Sequence, residues 1–452
     1  MNKNNTSKVR KSPLKVIIEG TKERLTSQAG LVPVVKFLDK IGFSKVAGDT
    51  LSHIRGANAQ YEIEDVVNLT TVGIVGGARS LLGVVTVWSD QVLRRLSGWL
   101  RIADDSTLGR IFKGLTERHI VELETVNHRL RGHIWKRALR EGKSKVRALG
   151  KVWIDGDSTV KTVYGKQEGA EKGYNPHKKG ALSYHPLVAF CALTKEILQG
   201  WFRCGSAYTS NGIVEFMKQL LAHLPNNMRI LFRGDSGFFI GALLDFLEAR
   251  GHGYLIKVKL KGLVELLEGK KWTAVSGHPD WEQCEFEYAC KDWKKARRFV
   301  AVRIEREDGA SAKKKKAQKE GLNEKSYDYF CYVVSESFSP FQAHKKYGER
   351  ATCETWIEEA RNQMALSHIK TDSFIANAAL FQCAILAYNT VKWMALLSGD
   401  ATVQRWEIQT VRAFLIRVAG KLIVSSRQQR LKVPEDCLFP RQWEVWVEVG
   451  LT

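Results

Sequence analysis

The stretch VWIDGDSTV, residues 152–160, is where the chain turns from helix to sheet. Val152, Trp153 and Ile154 suit a pleated, half-buried strand. Asp155 and Asp157 follow at a spacing of two, so both carboxylates leave the same face of that strand. Two carboxylates side by side on a central strand are unfavourable unless positive charge lies between them. A divalent cation is the simplest such partner, and magnesium accepts a few hard carboxylate oxygens together with phosphate and water. The competing role for either aspartate is to cap a turn at Gly156. For Asp155 that role weighs at least equally; for Asp157, followed by Ser158 and Thr159, the metal reading is preferred.

Downstream, Leu182–Leu193 reads as a longer strand and Ile197–Gly205 as a third. Asn211–Leu224 is a helix with Val214, Met217, Leu220 and Leu221 on one face, followed by strand Met228–Phe232, helix Ile240–Arg250 and strand Tyr254–Leu260. Three strands, a helix, then alternating strand and helix is the order of an α/β ribonuclease-H-like core. Residues 261–340 form a β-rich, strongly basic insertion, with KDWKKARR at 291–298 and KKKK at 313–316. The division expected is a basic flexible arm at 1–20, a helical DNA-binding or dimerisation region at 21–148, the first part of the core at 149–260, the insertion at 261–340, and the second part of the core with C-terminal helices at 341–452.

Upstream, Leu31 to Phe43 keeps helical spacing, and residues 116–150 are helical and rich in Arg and Lys. Val92, Leu93, Leu96 and Leu100 mark another helix. A break at Arg101–Asp104 and a short helix capped by Asp105 or Ser106, bearing Thr107, Arg110 and Lys113, suggest a helix-turn-helix, with an ordinary helical bundle as the competing reading. The apolar run Ala378–Leu397 is interrupted by Gln382, Asn389, Thr390 and Lys392, so a buried helix is expected and no membrane span. Seventy Lys and Arg against 48 Asp and Glu give a net charge of +22, which points to a polyanionic partner. The eight cysteines include no CxxC pair. Free core thiols, no structural zinc and a cytoplasmic location are expected.

Two further carboxylates complete the chemistry. Asp235, in RGDSGF at 233–238, follows the strand MRILFRG, where open α/β sheets place ligands; a plain strand-to-helix cap is its other reading. Tyr347, Arg350, Glu354 and Arg361 fall at i, i+3, i+7 and i+14, along one face of a continuous helix. One carboxylate flanked by two arginines and a tyrosine forms a clamp for metal and phosphate. The alternative is a solvated helix with surface ion pairs.

The stretches 154–190, 233–238 and 347–361 together resemble the DDE transposases of bacterial insertion sequences, in the class with a Tyr-Arg-Glu-Lys signature and the group known as thirteen-eighty. Tyr347, Arg350 and Glu354 meet that signature, and Arg361 stands where Lys is usual. The resemblance implies a catalytic, metal-binding trio of Asp157, Asp235 and Glu354, with magnesium or manganese as the cofactor. It also implies strand cleavage and strand transfer at terminal inverted repeats, with double-stranded DNA as partner at transposon ends and target, and a dimer on DNA. In such relatives a tryptophan of the insertion stacks on a flipped base; Trp272, Trp281 and Trp293 are the candidates here. Trp293, beside Lys294, Lys295, Arg297 and Arg298, is expected at the DNA, with a packed core tryptophan as the alternative for each. A metal-dependent nuclease of the same fold and a DNA-binding protein derived from a transposase are the competing functions.

Overall fold

The computed structural model describes residues 16–451 apart from 53–55, 57, 144, 146–149, 176–177, 307–326, 368–370 and 437. The lysine run 313–316 and most of the basic arm lie outside the described residues. A nine-stranded mixed sheet organises the rest. Its strands are β1 (Lys151–Ser158), β2 (Leu187–Cys191), β3 (Ile197–Trp201), β4 (Arg229–Gly234), β5 (Gly253–Lys257), β6 (Thr273–Val275), β7 (His278–Tyr288), β8 (Arg297–Glu305) and β9 (Tyr327–Val334). Across the sheet they run β6-β7-β8-β9-β5-β4-β1-β2-β3.

β1 is central. It pairs in parallel with β4 (Val152 opposite Ile230, Asp155 opposite Arg233) and antiparallel with β2 (Asp157 opposite Val188). β4 and β5 are parallel, joined through helix Gly241–Glu248. Helix Ile213–Ala222 connects β3 to β4. Gly156, between the two aspartates, lies on the opposite face, where a Cβ would stand 2.4 Å from Phe232 Cζ. A side chain there would push the Phe232 ring out of the core.

Within 261–340 the described residues form four strands that belong to the main sheet. β9 pairs antiparallel with β5, and β8, β7 and β6 extend the same sheet outward. The long strand expected over Leu182–Leu193 is broken. Leu182–Tyr184 belongs to a small three-stranded sheet with Lys161–Thr162 and Glu171–Lys172, and β2 starts afresh at Leu187. Pro186 stands at the break, where it has no N–H to give to a ladder.

Helix Phe374–Ser398 is the centre of the remaining architecture. Every residue from Ala376 to Leu397 is buried. It is long and apolar enough to span a membrane, yet 89% of its most apolar window is covered by the protein itself. It packs against helices Ile63–Gly76, Glu117–Arg140 and Pro440–Leu451 and against the edge strand β3. Its polar interruptions have partners there. The Asn389 side chain accepts from Ile197 N at 2.8 Å and donates to Ile197 O at 2.9 Å, and Gln382 Nε2 donates to Gly200 O at 2.8 Å. Buried amides thereby satisfy a sheet edge that would otherwise be left open.

The expected helix-turn-helix takes a different form. Helices Gln91–Leu96 and Asp105–Lys113 exist, but residues 97–104 separate them, longer than the three- or four-residue turn of that motif. Asp104 caps the second helix, accepting from Thr107 N at 2.6 Å, in place of Asp105 or Ser106.

Candidate active site

Asp157 leaves β1 near its carboxyl end, and Asp235 follows directly on β4, the parallel neighbour. Glu354 comes from helix Ala351–Gln363. All three line one open cavity of about 980 Å³, together with His185, Tyr174, Tyr208, Lys259 and Arg361.

Arg350 crosses the site. Its Nη2 lies 2.9 Å from Asp157 Oδ1 and its Nη1 lies 3.2 Å from Glu354 Oε1, while Nη2 also donates to Gly156 O at 3.3 Å. The residue is 5% exposed. Burial works to lower its guanidinium, but Asp157 and the other anionic neighbours prevail and hold it above its ordinary value. Burial pushes the Asp157 carboxyl up to about 6; Arg350 opposes this, while Asp235 and Glu354 add to it. Three hard-oxygen donors converge here with more negative charge than Arg350 neutralises. Carboxylate oxygens are the donors that hard divalent cations take, and such a cation would relieve the repulsion Asp157 feels. Among the described residues, as placed here, no three acidic, His or Cys side chains stand close enough together to hold a metal ion, and Glu354 reaches Arg350 with 67% of its side chain exposed.

Asp155 does not line that cavity, nor does it cap a turn at Gly156, which lies within β1. It is fully buried and receives Arg233 bidentately, Nε to Oδ1 at 2.6 Å and Nη2 to Oδ2 at 2.9 Å. Arg233 stacks its guanidinium over Trp153 at 4.8 Å and donates to Lys346 O at 2.6 Å. This pair ties β1 and β4 to the helix that precedes Glu354. Asp235 Oδ1 accepts from Gly237 N at 2.9 Å, so it also caps the short 3₁₀ turn Ser236–Phe238.

The signature residues do not lie on one continuous helix. Tyr347 ends helix Pro340–Gly348, and Arg350 is the N-cap of the next. The junction tightens into 3₁₀-type bonds, Arg350 N to Tyr347 O at 2.9 Å and Cys353 N to Arg350 O at 2.8 Å. That tightening accompanies the inward reach of Arg350. Tyr347 packs on Tyr332 with ring centroids 4.7 Å apart, and burial pushes its hydroxyl up to about 12. Arg361 lines the far rim of the cavity, within hydrogen-bond reach of Ser367 Oγ at 3.3 Å.

The insertion tryptophans are packed side chains. Trp293 rests on Phe239 and Phe299, with Arg297 over its ring at 4.7 Å. Trp281 packs on Phe330, Phe341 and His344, and Trp272 donates to Leu267 O at 3.0 Å. Arg297 is buried and paired with Asp245 and Glu248. Lys295 pairs with Glu248 at 2.8 Å, and Arg298 pairs with Glu285 and donates to Phe338 O at 2.8 Å. Lys294 is exposed.

Residues the sequence did not single out also line the cavity. His185 is buried, its Nδ1 against Ala207 O, and burial lowers its imidazole. It lies within the quoted stretch 154–190, next to Pro186, and a lone His carries no spacing signal. Lys259 lies just past β5, which ends at Lys257 short of the strand expected to run to Leu260, and the exposed Tyr174 and Tyr208 come from loops with no periodicity to mark them.

A family model described as transposase DDE domain group 1 matches residues 7–446. No curated protein matches the chain. Among solved structures, the chain is similar to the piggyBac transposase of a cryo-EM synaptic complex with hairpin DNA, at 13% identity over 88% of each chain and a TM-score of 0.35.

Proposed function

This chain belongs to the family of transposase DDE domains, group 1, and is a DNA transposase; we propose that Asp157, Asp235 and Glu354 form its catalytic trio. The observation that carries this assignment is their convergence, from two parallel strands and a later helix, on one cavity bridged by Arg350. The order β3-β2-β1-β4-β5, with β2 antiparallel to both neighbours and β1, β4 and β5 parallel, supports a ribonuclease-H-like core. Tyr347, Arg350 and Glu354 support placement in the Tyr-Arg-Glu-Lys class and the group thirteen-eighty, with Arg361 in the lysine position.

Enzymes of this family use divalent metal ions, and we assign magnesium, held by the three carboxylates, as the ion here. Bound metal ions supply activation of a water or 3′-hydroxyl and stabilise charge on the leaving oxygen. The chain's own residues orient the DNA. Arg350, anchored through Gly156 O, presents guanidinium protons to a backbone phosphate beside Asp157 and Glu354. Arg361 grips the strand farther along the same rim. The buried Arg233–Asp155 pair holds β1, β4 and the preceding helix in register, so the trio needs little rearrangement when DNA arrives.

The partner is double-stranded DNA, at the element's terminal inverted repeats and at the target, with two subunits on paired ends. Arg24, Arg94, Arg95, Arg101 and Arg110 border two adjoining clefts on the N-terminal helices and suit a backbone grip. The decisive experiment is cleavage of labelled end duplex in magnesium by Asp157→Asn, Asp235→Asn and Glu354→Gln. Each is expected to abolish cutting while gel-shift affinity stays near wild type. Full cutting by any one of them removes that residue from the trio.

A further inference from the structure

Two large aromatic side chains stand bare at the cavity that Asp157, Asp235 and Glu354 line. Tyr174 is 68% exposed and Tyr208 is 67% exposed. Among the described residues neither ring packs on another aromatic group, and neither hydroxyl has a hydrogen-bond partner. The backbone beneath them is closely fastened. Gly173 and Gly205 bring the two loops into backbone contact: a Cβ at Gly173 would stand 1.9 Å from Gly205 O, and one at Gly205 would stand 2.0 Å from Ser183 O. Ser206 Oγ donates to Glu171 across the same junction. Arg203 Nη1 donates to Tyr208 O and to Asn211 O, both at 3.1 Å. Asn175, buried beside Tyr174 in the chain, donates to Thr162 Oγ1 at 2.8 Å. The loops are held while the rings they carry are left free.

Rings presented in this way suit a ligand with flat apolar faces. In duplex DNA the faces of each base are covered by its neighbours and only the edges are open in the grooves. A tyrosine ring therefore gains a stacking partner only from a base outside the helix. The same loops supply positive charge for the backbone of such a strand. Lys166, Lys172, Lys178 and Lys179 are exposed and form no ion pair among the described residues. The acids among them are committed, Glu168 to Phe374 N at 2.8 Å and Glu171 to Ser206.

We propose that Tyr174 and Tyr208 form a single-strand grip, each stacking on an unpaired base of the DNA strand at the cavity, an inference that rests on the assignment of this cavity to strand cleavage. The four lysines track the phosphates of that strand. The strand reaches the carboxylates outside its duplex, with its bases on the two rings and its backbone open to Arg350 and Arg361.

The test measures equilibrium binding to the full chain by fluorescence anisotropy, in chelator, where no strand is cut. The labelled probes are a thymidine oligomer of about 15 nucleotides, within the range of single-strand sites, an abasic oligomer of equal length, and an arbitrary duplex. Wild type should bind the thymidine strand more tightly than the abasic one. Tyr174→Ala/Tyr208→Ala should bind the thymidine strand at least about tenfold more weakly, lose the preference over the abasic strand and keep wild-type affinity for duplex. Tyr174→Phe/Tyr208→Phe, which keeps the rings without the hydroxyls, should bind as wild type does. Single Tyr174→Ala and Tyr208→Ala variants repeat the measurements should the double variant melt below wild type. The proposal is overturned if the alanine variant holds the thymidine strand as tightly as wild type, or if wild type does not distinguish bases from abasic sites. Parallel loss of duplex binding overturns it too, as does a phenylalanine variant as weak as the alanine one, which would make the hydroxyls phosphate contacts. None of these measurements involves cutting, so the grip can fail while Asp157→Asn still abolishes cleavage, and the catalytic trio can fail while the grip stands.

Discussion

Asp157→Asn is expected to inactivate the enzyme and at the same time stabilise its fold. The carboxyl is pushed up to about 6 from an ordinary 3.8, because burial and the neighbouring acids together outweigh Arg350. In the unfolded chain it ionises near 3.8, so between the two values the folded state holds the extra proton. Stability therefore falls as pH rises from about 4 to about 6, and above 6 the folded state bears the full penalty of the charge. The gap of roughly 2 pH units corresponds to about 3 kcal/mol at about 1.4 kcal/mol per unit. The side chain keeps 19% of its surface exposed, and screening there brings the expected gain down to about 1–2 kcal/mol. Asparagine mimics the protonated form, keeps an oxygen for Arg350 and removes the charge. Urea unfolding of both proteins at pH 8 and pH 4.5, in chelator, should show the variant more stable at pH 8 and the two converging at pH 4.5. Magnesium added at pH 8 should raise the wild type and leave the variant nearly unmoved. A variant less stable than wild type at pH 8, or a difference independent of pH, would refute the electrostatic account of the site.

Arg350→Ala should slow single-turnover cleavage of a pre-bound end by ten- to a hundredfold or somewhat more, about 1–3 kcal/mol of transition-state stabilisation; a wild-type rate would make its bridging position irrelevant to chemistry. Asp155→Asn should leave more cleavage than Asp157→Asn, since Asp155 holds Arg233 and does not line the cavity; single-turnover cleavage of the two variants reads the difference. Arg297→Ala should lower stability, by stranding Asp245 and Glu248, with little change in the salt slope of DNA binding, whereas Lys294→Ala should change the slope and not the stability. The reverse pattern would put Arg297 at the DNA after all.

Much of the core was legible because its signals are local. The alternation around Asp155 and Asp157, the position of Asp235 after its strand and the apolar run ending at Leu397 all follow from period and burial. What escaped depends on contacts distant in sequence. Nothing in KDWKKARR tells that Arg297 points inward to Asp245 and Glu248 while Lys294 points out, since a strand end exposes one face or the other according to its partner. Nothing in the spacing of Tyr347, Arg350 and Glu354 tells that the helix tightens at Arg350, because the pull comes from Gly156 and Asp157 nearly two hundred residues earlier. The separate tasks of the two aspartates were undecidable locally for the same reason: Arg233 selects Asp155 from the neighbouring strand.

The burial of helix Phe374–Ser398 among elements drawn from both ends of the chain sets the order in which this protein can acquire structure on the ribosome. Helix Ile63–Gly76 and helix Glu117–Arg140 rest their apolar faces on it, and Gly30 hydrogen-bonds to Ile416 O. The first third of the chain therefore waits, with its partner surface unmade, until nearly four hundred residues have been synthesised. A chain ending before that point would leave the apolar faces of those two helices without the helix that covers them.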